Sequence, residues 1–337
     1  MLTLNIVIPT YRRNDLVKKR VREILAQTEL DAIVSISICD NDPNSTLESE
    51  LKAEFGHAMD SIISIQRRKL NIGASLNLAL GILDSLPNYD YTWAISDDDE
   101  IISEALSQIL VSAHENASCS ALVFNESLPN IRVCTIAELL RSASTLDALL
   151  SLGNIVYARC SLDALPKGFF EYCPFMAPQL VVLFSIVYTT GWAQCFSIEL
   201  FIRKQARLYH SNEFRQWSYL LGYRRLYEIS YMSFMSIEEG SLYRTLVNRS
   251  MPKAMHSRSV FVFASLMYIY ASGERDHEYC YIQSSAIART TGSPVLGLIS
   301  PFLKYRIFYS AIAPLFKQLL LISEIKLKLY RNSRPAP

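Results

Sequence analysis

The chain has 337 residues, half of them apolar, with only 11 glycines and 13 prolines, which excludes a disordered protein and allows one large domain or two. Thirty-three basic and 32 acidic side chains leave a net charge of +1, which argues against a dedicated nucleic-acid binder. The seven cysteines form no CxxC pair and have no histidines at zinc spacing, so neither disulfides nor zinc are expected and a reducing cytoplasm fits. No basic segment precedes a long apolar core at the start, so no signal peptide is expected.

In chain order, "LNIVIP" at 4–9 is an apolar run of buried-strand type. A polar loop, "TYRRND", follows, and Asn14 or Asp15 is placed to cap a helix with Leu16, Val17, Val21, Ile24 and Leu25 inward. A second strand, "IVSISIC" at 33–39, runs into the acidic turn "DNDPNS". A third, "SIISIQ" at 61–66, precedes the basic triplet Arg67-Arg68-Lys69, which reads first as solvated surface. "LNIGASLNLALGIL" then gives a loop around Asn71 and Gly73 and a helix with Leu76, Ala79, Leu80 and Leu83 inward, with Asn77 free to face solvent. A fourth strand is expected at 91–95, a fifth at 120–124, and another in "LGNIVYAR".

The longest uncharged span, Tyr172 to Ile198, is broken by Pro174, Pro178 and Thr189-Thr190-Gly191. It reads as core, with a helix at 179–188 and a strand at 193–202, and not as a membrane span. Strands alternating with helices predict an α/β fold with a mainly parallel, doubly wound sheet. Two regions are expected, a ligand-binding α/β domain at 1–210 and a mainly helical C-terminal region at 211–337.

The stretch "YDYTWAISDDDEI" carries the chemistry. A buried strand ends at Ser96, and Asp97, Asp98 and Asp99 follow, before apolar residues Ile101, Ile102, Ala105, Leu106, Ile109 and Leu110 at helical spacing. Adjacent carboxylates resist burial unless compensated. A hard cation such as Mg²⁺ or Mn²⁺ would compensate them, through oxygen ligands shared with a bound phosphate. In extended chain Asp97 and Asp99 would point the same way and Asp98 the other, making Asp97 and Asp99 the metal pair. The alternative is an acidic turn with Asp97 or Asp98 capping the next helix. Ligands of open parallel sheets bind at the carboxyl ends of strands, which collects Pro9-Thr10-Tyr11, Asp40-Asn41-Asp42 and Asp97-Asp98-Asp99 along one edge.

Together "IVIPTYRR" at 6–13, "CDND" at 39–42, "NIGASLN" at 71–77 and "DDD" at 97–99 resemble the family 2 glycosyltransferases, over about residues 1–160. The resemblance implies the A-type nucleotide-sugar transferase fold, a nucleoside-diphosphate sugar donor, UDP-linked by preference, and a Mg²⁺ or Mn²⁺ ion. It places Pro9, Thr10, Tyr11, Arg13, Asp40, Asn71, Gly73, Asp97 and Asp98 at the donor nucleotide, with Asp99 and Asp97 on the metal. Asp40 alternatively caps a turn with Pro43, and Gly73 alternatively serves an ordinary turn.

An inverting displacement also needs a general base. The family's usual Glu-Asp dipeptide does not occur after residue 100, which leaves Glu171 as the first choice and Asp163 as the second. The implied acceptor is a glycan, free or on a polyprenyl diphosphate, in surface polysaccharide (O-antigen or capsule) synthesis. The apolar stretch 301–329, punctuated by Lys304, Arg306, Lys317, Lys326 and Lys328, suits either an anionic membrane surface at the inner face of the cell membrane or a packing or dimer face. A non-catalytic scaffold of the same fold is the competing class. A nucleotidyltransferase is disfavoured because "IPTYRRND" lacks glycine.

Overall fold

A computed structural model describes residues 1–28, 32–166, 177–202 and 229–250. The chain divides into two compact units, Met1–Leu208 with Leu226–Ser250, and Tyr209–Arg225 with Met251–Pro337. All described residues belong to the first. Glu171 and the basic stretch 301–329 lie outside the described residues.

The strands are β1 Leu2–Thr10, β2 Ala32–Asp40, β3 Ile63–Arg67, β4 Tyr91–Ala94, β5 Glu100–Ile101, β6 Ala121–Phe124, β7 Ile131–Val133, β8 Ile155–Ala158, β9 Ala193–Phe196 and β10 Phe201–Ile202. The helices are α1 Asn14–Leu25, α2 Leu47–Ser61, α3 Ala74–Ser85, α4 Ala105–Glu115, α5 Ile136–Ser142, α6 Asp147–Leu150, α7 Pro178–Thr190 and α8 Ile237–Ser250. Eight strands form one sheet in the order β3-β2-β1-β4-β8-β6-β9-β7. From β3 to β4 every neighbouring pair is parallel. β8 runs against both β4 and β6, and β7 runs against β9. The sheet is therefore mixed, with six strands in one direction and β7 and β8 reversed.

β1 lies between β2 and β4 and is covered on both faces, which is why its sequence is nearly continuous apolar rather than alternating. Leu4, Ile6, Val7 and Ile8 have no exposed surface. On one face α1 presents Val17, Val21 and Ile24 to this core; its cap is Arg13 and not Asn14, whose amide reaches Thr46 and Glu50 of the neighbouring segment. On the other face α3 comes close to β1 and β2 at Gly81, where a Cβ would stand 2.6 Å from Cys39 Sγ and 2.7 Å from Val7 Cγ1. Helix α2 has no counterpart in the sequence reading: its fully buried residues are few, Leu47 and Leu51, with Phe55, Ala58 and Met59 packed partly buried against the core between charged residues.

The described part of the uncharged span, from Ala177, is largely core. Helix α7 is buried from Pro178 to Val187, starts with proline in its first turn and stops at Gly191 in the left-handed region, φ +86°. No helix among the described residues is long and apolar enough to cross a membrane. Helix α8, expected in the C-terminal region, packs against the first unit: Tyr243 is fully buried and meets Phe184 of α7 edge to face at 5.7 Å.

Candidate functional site

Six strands end on the same sheet edge, and the polar clusters after β1, β2 and β4 meet there. Thr10 closes β1 in register with Asp40 and is 5% exposed. Its hydroxyl donates to Asp97 Oδ2 at 2.8 Å, tying two strand ends together. Pro9 pairs with Cys39 one position earlier. The loop then turns through Arg12 at φ +57°, a left-handed conformation uncommon for a non-glycine residue, held by Arg12 Nε to Asp42 Oδ2 at 3.0 Å. Tyr11, beneath the Arg12 guanidinium at 5.0 Å, is exposed.

Asp40, Asn41 and Asp42 are all buried. Asp40 Oδ1 accepts the Asp42 amide at 3.0 Å, so the turn-capping role is realised. Its Oδ2 has no hydrogen-bond partner among the described residues. Asn41, unassigned in the sequence reading, organises the neighbouring loop: its Nδ2 donates to Asn71 Oδ1 at 2.7 Å and its Oδ1 accepts Ile72 N at 3.0 Å. Asn71 Oδ1 also accepts Gly73 N at 2.9 Å, and Gly73 sits at φ +84°. Asn77, expected to face solvent, is 1% exposed; it donates to the Cys39 carbonyl at 2.6 Å and accepts Arg68 Nε at 3.0 Å. Periodicity could not place it, because its partners are brought in by the strand end and not by its own helix. Asn41 did carry a signal, its position inside the acidic turn.

The carboxylates depart from the expected geometry. The chain leaves β4 at Ala94 and bends through Asp97–Asp99, so the alternation of extended chain does not apply. Asp97 is 2% exposed, with Thr10 on Oδ2 and Arg13 Nη1 on Oδ1 at 2.8 Å. The same nitrogen reaches Asp98 Oδ2 at 3.2 Å. The adjacent pair Asp97 and Asp98 thus shares the Arg13 cation. Burial pushes the Asp97 carboxyl above the usual range, against the opposing pull of Arg13 and Thr10. Asp98 also accepts from Ser96 Oγ. Asp98 and Asp99 are half-exposed and face the accessible side of the turn.

Beyond the turn, Glu100–Ile101 is not the start of a helix but a strand, β5, paired with β10; Ile101 meets Phe201, a hundred residues later. Helix α1 and the turn after it clamp this segment: Lys19 of the helix pairs with Glu100 at 3.3 Å, and Gln27 of the turn donates to the Ile102 carbonyl at 3.0 Å while accepting Leu106 N at 3.2 Å.

The structure does not bring Asp163 to this edge. β8 is antiparallel to β4, with Ala158 opposite Tyr91, and Arg159 N and Cys160 N donate to the carbonyls of Asp90 and Leu86. The turn Leu162–Ala164 therefore sits where β4 begins, at the other end of the sheet from Asp97, and Asp163 is exposed there. Strand direction is not legible in the sequence, which therefore could not exclude this residue.

No family model matches the sequence, and no curated protein matches it. The fold does have solved counterparts. The chain is similar to residues 1–349 of TarS from S. aureus, with a TM-score of 0.52 and 11% identity, over 94% of this chain and 92% of that one. That fragment has also been solved with UDP-GlcNAc and with UDP. Against a longer TarS structure the TM-score is 0.54 at 12% identity, over 87% of this chain and 54% of that one, so the chain spans about half that protein's length. The fold is the A-type glycosyltransferase fold.

Proposed function

We propose that the chain is an inverting glycosyltransferase that moves a sugar from a nucleoside diphosphate, UDP by preference, to a glycan acceptor in surface-polysaccharide synthesis. The observation that carries this reading is the junction of three polar strand ends, fixed by the Thr10–Asp97 hydrogen bond, at the carboxyl edge of a sheet of this fold. The preference for UDP is supported by the UDP and UDP-GlcNAc bound to TarS.

Each element of the edge has a task in this reading. Asp40, with Oδ2 free to accept, takes a donor hydrogen from the base or ribose. Asn41 holds the Asn71–Gly73 loop so that backbone approaches the nucleoside closely. Tyr11 and Arg12 form the exposed wall beside it. The turn offers carboxylate oxygens, the donor set that suits Mg²⁺ or Mn²⁺, and Asp99 and Asp98 are the accessible ones. Such an ion, when bound, offsets charge on the departing diphosphate. Asp97 acts from behind, orienting Thr10 and Arg13. Glu171 is the proposed base, and peripheral contact of 301–329 with an anionic membrane surface belongs to the same reading.

The test is thermal stability with UDP and Mn²⁺, followed by release of nucleoside diphosphate from sugar nucleotides. A ligand at a hundred times its Kd adds about 2.7 kcal/mol to stability. The wild type should gain a shift that Asp99→Ala loses, and Glu171→Gln should keep the shift while losing transfer. Absence of a shift with every nucleoside diphosphate tried would favour the scaffold reading.

A further inference from the structure

Arg12 is the only non-glycine residue at positive φ, +57°, among the described residues. A residue with a long side chain avoids this region, and such outliers cluster at ligand sites. The side chain is pinned as well. Its Nε donates to Asp42 Oδ2 at 3.0 Å, and the guanidinium carbon lies 5.0 Å from the centre of the Tyr11 ring. Asp42 is itself held: its Oδ1 accepts Asn44 N at 3.0 Å, and its amide donates to Asp40 Oδ1 at 3.0 Å.

These contacts do not account for the conformation. The Arg12 side chain is 64% exposed, and an ion pair or cation–π contact on so exposed a group is weak. Together they offset little of the cost of a left-handed backbone and an immobilised long side chain. The far end of the group is unused: Nη1 and Nη2 have no hydrogen-bond partner among the described residues. A guanidinium fixed through Nε, with its terminal fork open, is shaped for hydrogen bonds to an oxyanion.

The sheet order narrows the choice of oxyanion. β1 runs between β2 and β4, so the loop carrying Arg12 stands between Asp40 at the end of β2 and the carboxylate turn after β4. Thr10 and Arg13 on either side of it are both bonded to Asp97. In the transferase reading the nucleoside lies at Asp40 and the ion at the turn, so the diphosphate crosses the end of β1. Arg13 is engaged by Asp97 and Asp98 there. Resting on that reading, we propose that Arg12 binds the donor diphosphate directly through its terminal fork, a contact that needs no metal ion.

Proton and phosphorus NMR of the full chain in EDTA tests this, with UDP, uridine and inorganic pyrophosphate as probes. Arg12→Lys keeps a cation for Asp42 but has no fork. The variant should bind UDP about tenfold more weakly than the wild type, the loss of one charge-assisted hydrogen bond. It should bind uridine as the wild type does, which also reports an intact edge. Equal UDP binding by the two proteins, or an equal loss for uridine, overturns the assignment and leaves the donor reading in place. No binding of UDP or pyrophosphate in EDTA overturns it too, and addition of Mg²⁺ then decides the donor reading separately. Pyrophosphate binding that Arg12→Lys weakens, in a chain that binds no nucleoside or nucleotide, would keep the oxyanion site and remove the donor reading instead.

Discussion

Arg13 Nη1 lies between two carboxylates, one sealed and one half-exposed. Arg13→Ala would leave Asp97 buried without its cation. The expected cost is about 2 kcal/mol, below the figure for a fully buried pair because the Arg13 side chain is 33% exposed. Arg13→Lys should recover part of it, and chemical denaturation of the three proteins measures both. Glu50 makes a second residue-scale test. It accepts from Lys18 Nζ at 2.8 Å, Thr46 Oγ1 at 2.7 Å and Asn14 Nδ2 at 2.6 Å, and these hold its carboxyl down to about 2. A carboxyl lowered on folding stabilises the native state above its unfolded value near 4.5, and that contribution disappears as pH falls toward 2. Glu50→Gln should therefore be less sensitive to acid across pH 4.5 to 2 than the wild type, by thermal denaturation at stepped pH. Because Glu50 is a third exposed, the difference should shrink in high salt.

The elements are positioned by close approach at a few points. Where α3 crosses β1 and β2, Gly81 leaves no room for a methyl group, so Gly81→Ala must push the helix away from Cys39 and Val7. About 1–3 kcal/mol should be lost, as for overpacked cores generally. Gly191→Ala is the control: its added Cβ meets open space, and only the left-handed backbone at φ +86° is strained, about 1 kcal/mol. Urea midpoints of the two variants should separate packing from backbone strain. Since α3 also carries Asn77, which bonds the end of β2, Gly81→Ala should weaken nucleotide binding as well as stability.

Across the whole molecule the described cysteines are free, and their settings differ. Burial pushes the Cys39 and Cys195 thiols up to about 11, whereas Cys134 is exposed. Site-resolved mass spectrometry after brief alkylation of the native protein should find Cys134 modified and Cys39 and Cys195 protected. Both buried thiols should react once the chain is unfolded in denaturant. Protection of Cys39 reports directly on the β1–β2–α3 core beneath the carboxyl edge of the sheet.

Local patterns in the sequence were enough to find β1 to β4, β6, β8 and helices α1, α3, α4 and α7. Each is a run of apolar residues whose spacing is set by its own backbone, and the acidic clusters mark strand ends because turns after buried strands must be polar. The clusters' meeting was legible too, since parallel strands put their carboxyl ends on one edge. Decided only in three dimensions were the reversal of β7 and β8, the pairing of Glu100–Ile101 with Phe201–Ile202, and the partner of Asp97. Strand direction, distant pairing and the partners of a buried carboxylate depend on groups from separate parts of the chain. No spacing within a single stretch encodes which of those groups arrives. That is why the sequence located the carboxylates, while the fold determined that Arg13 bridges Asp97 and Asp98 and that Asp97 is sealed while Asp98 and Asp99 stay half-exposed.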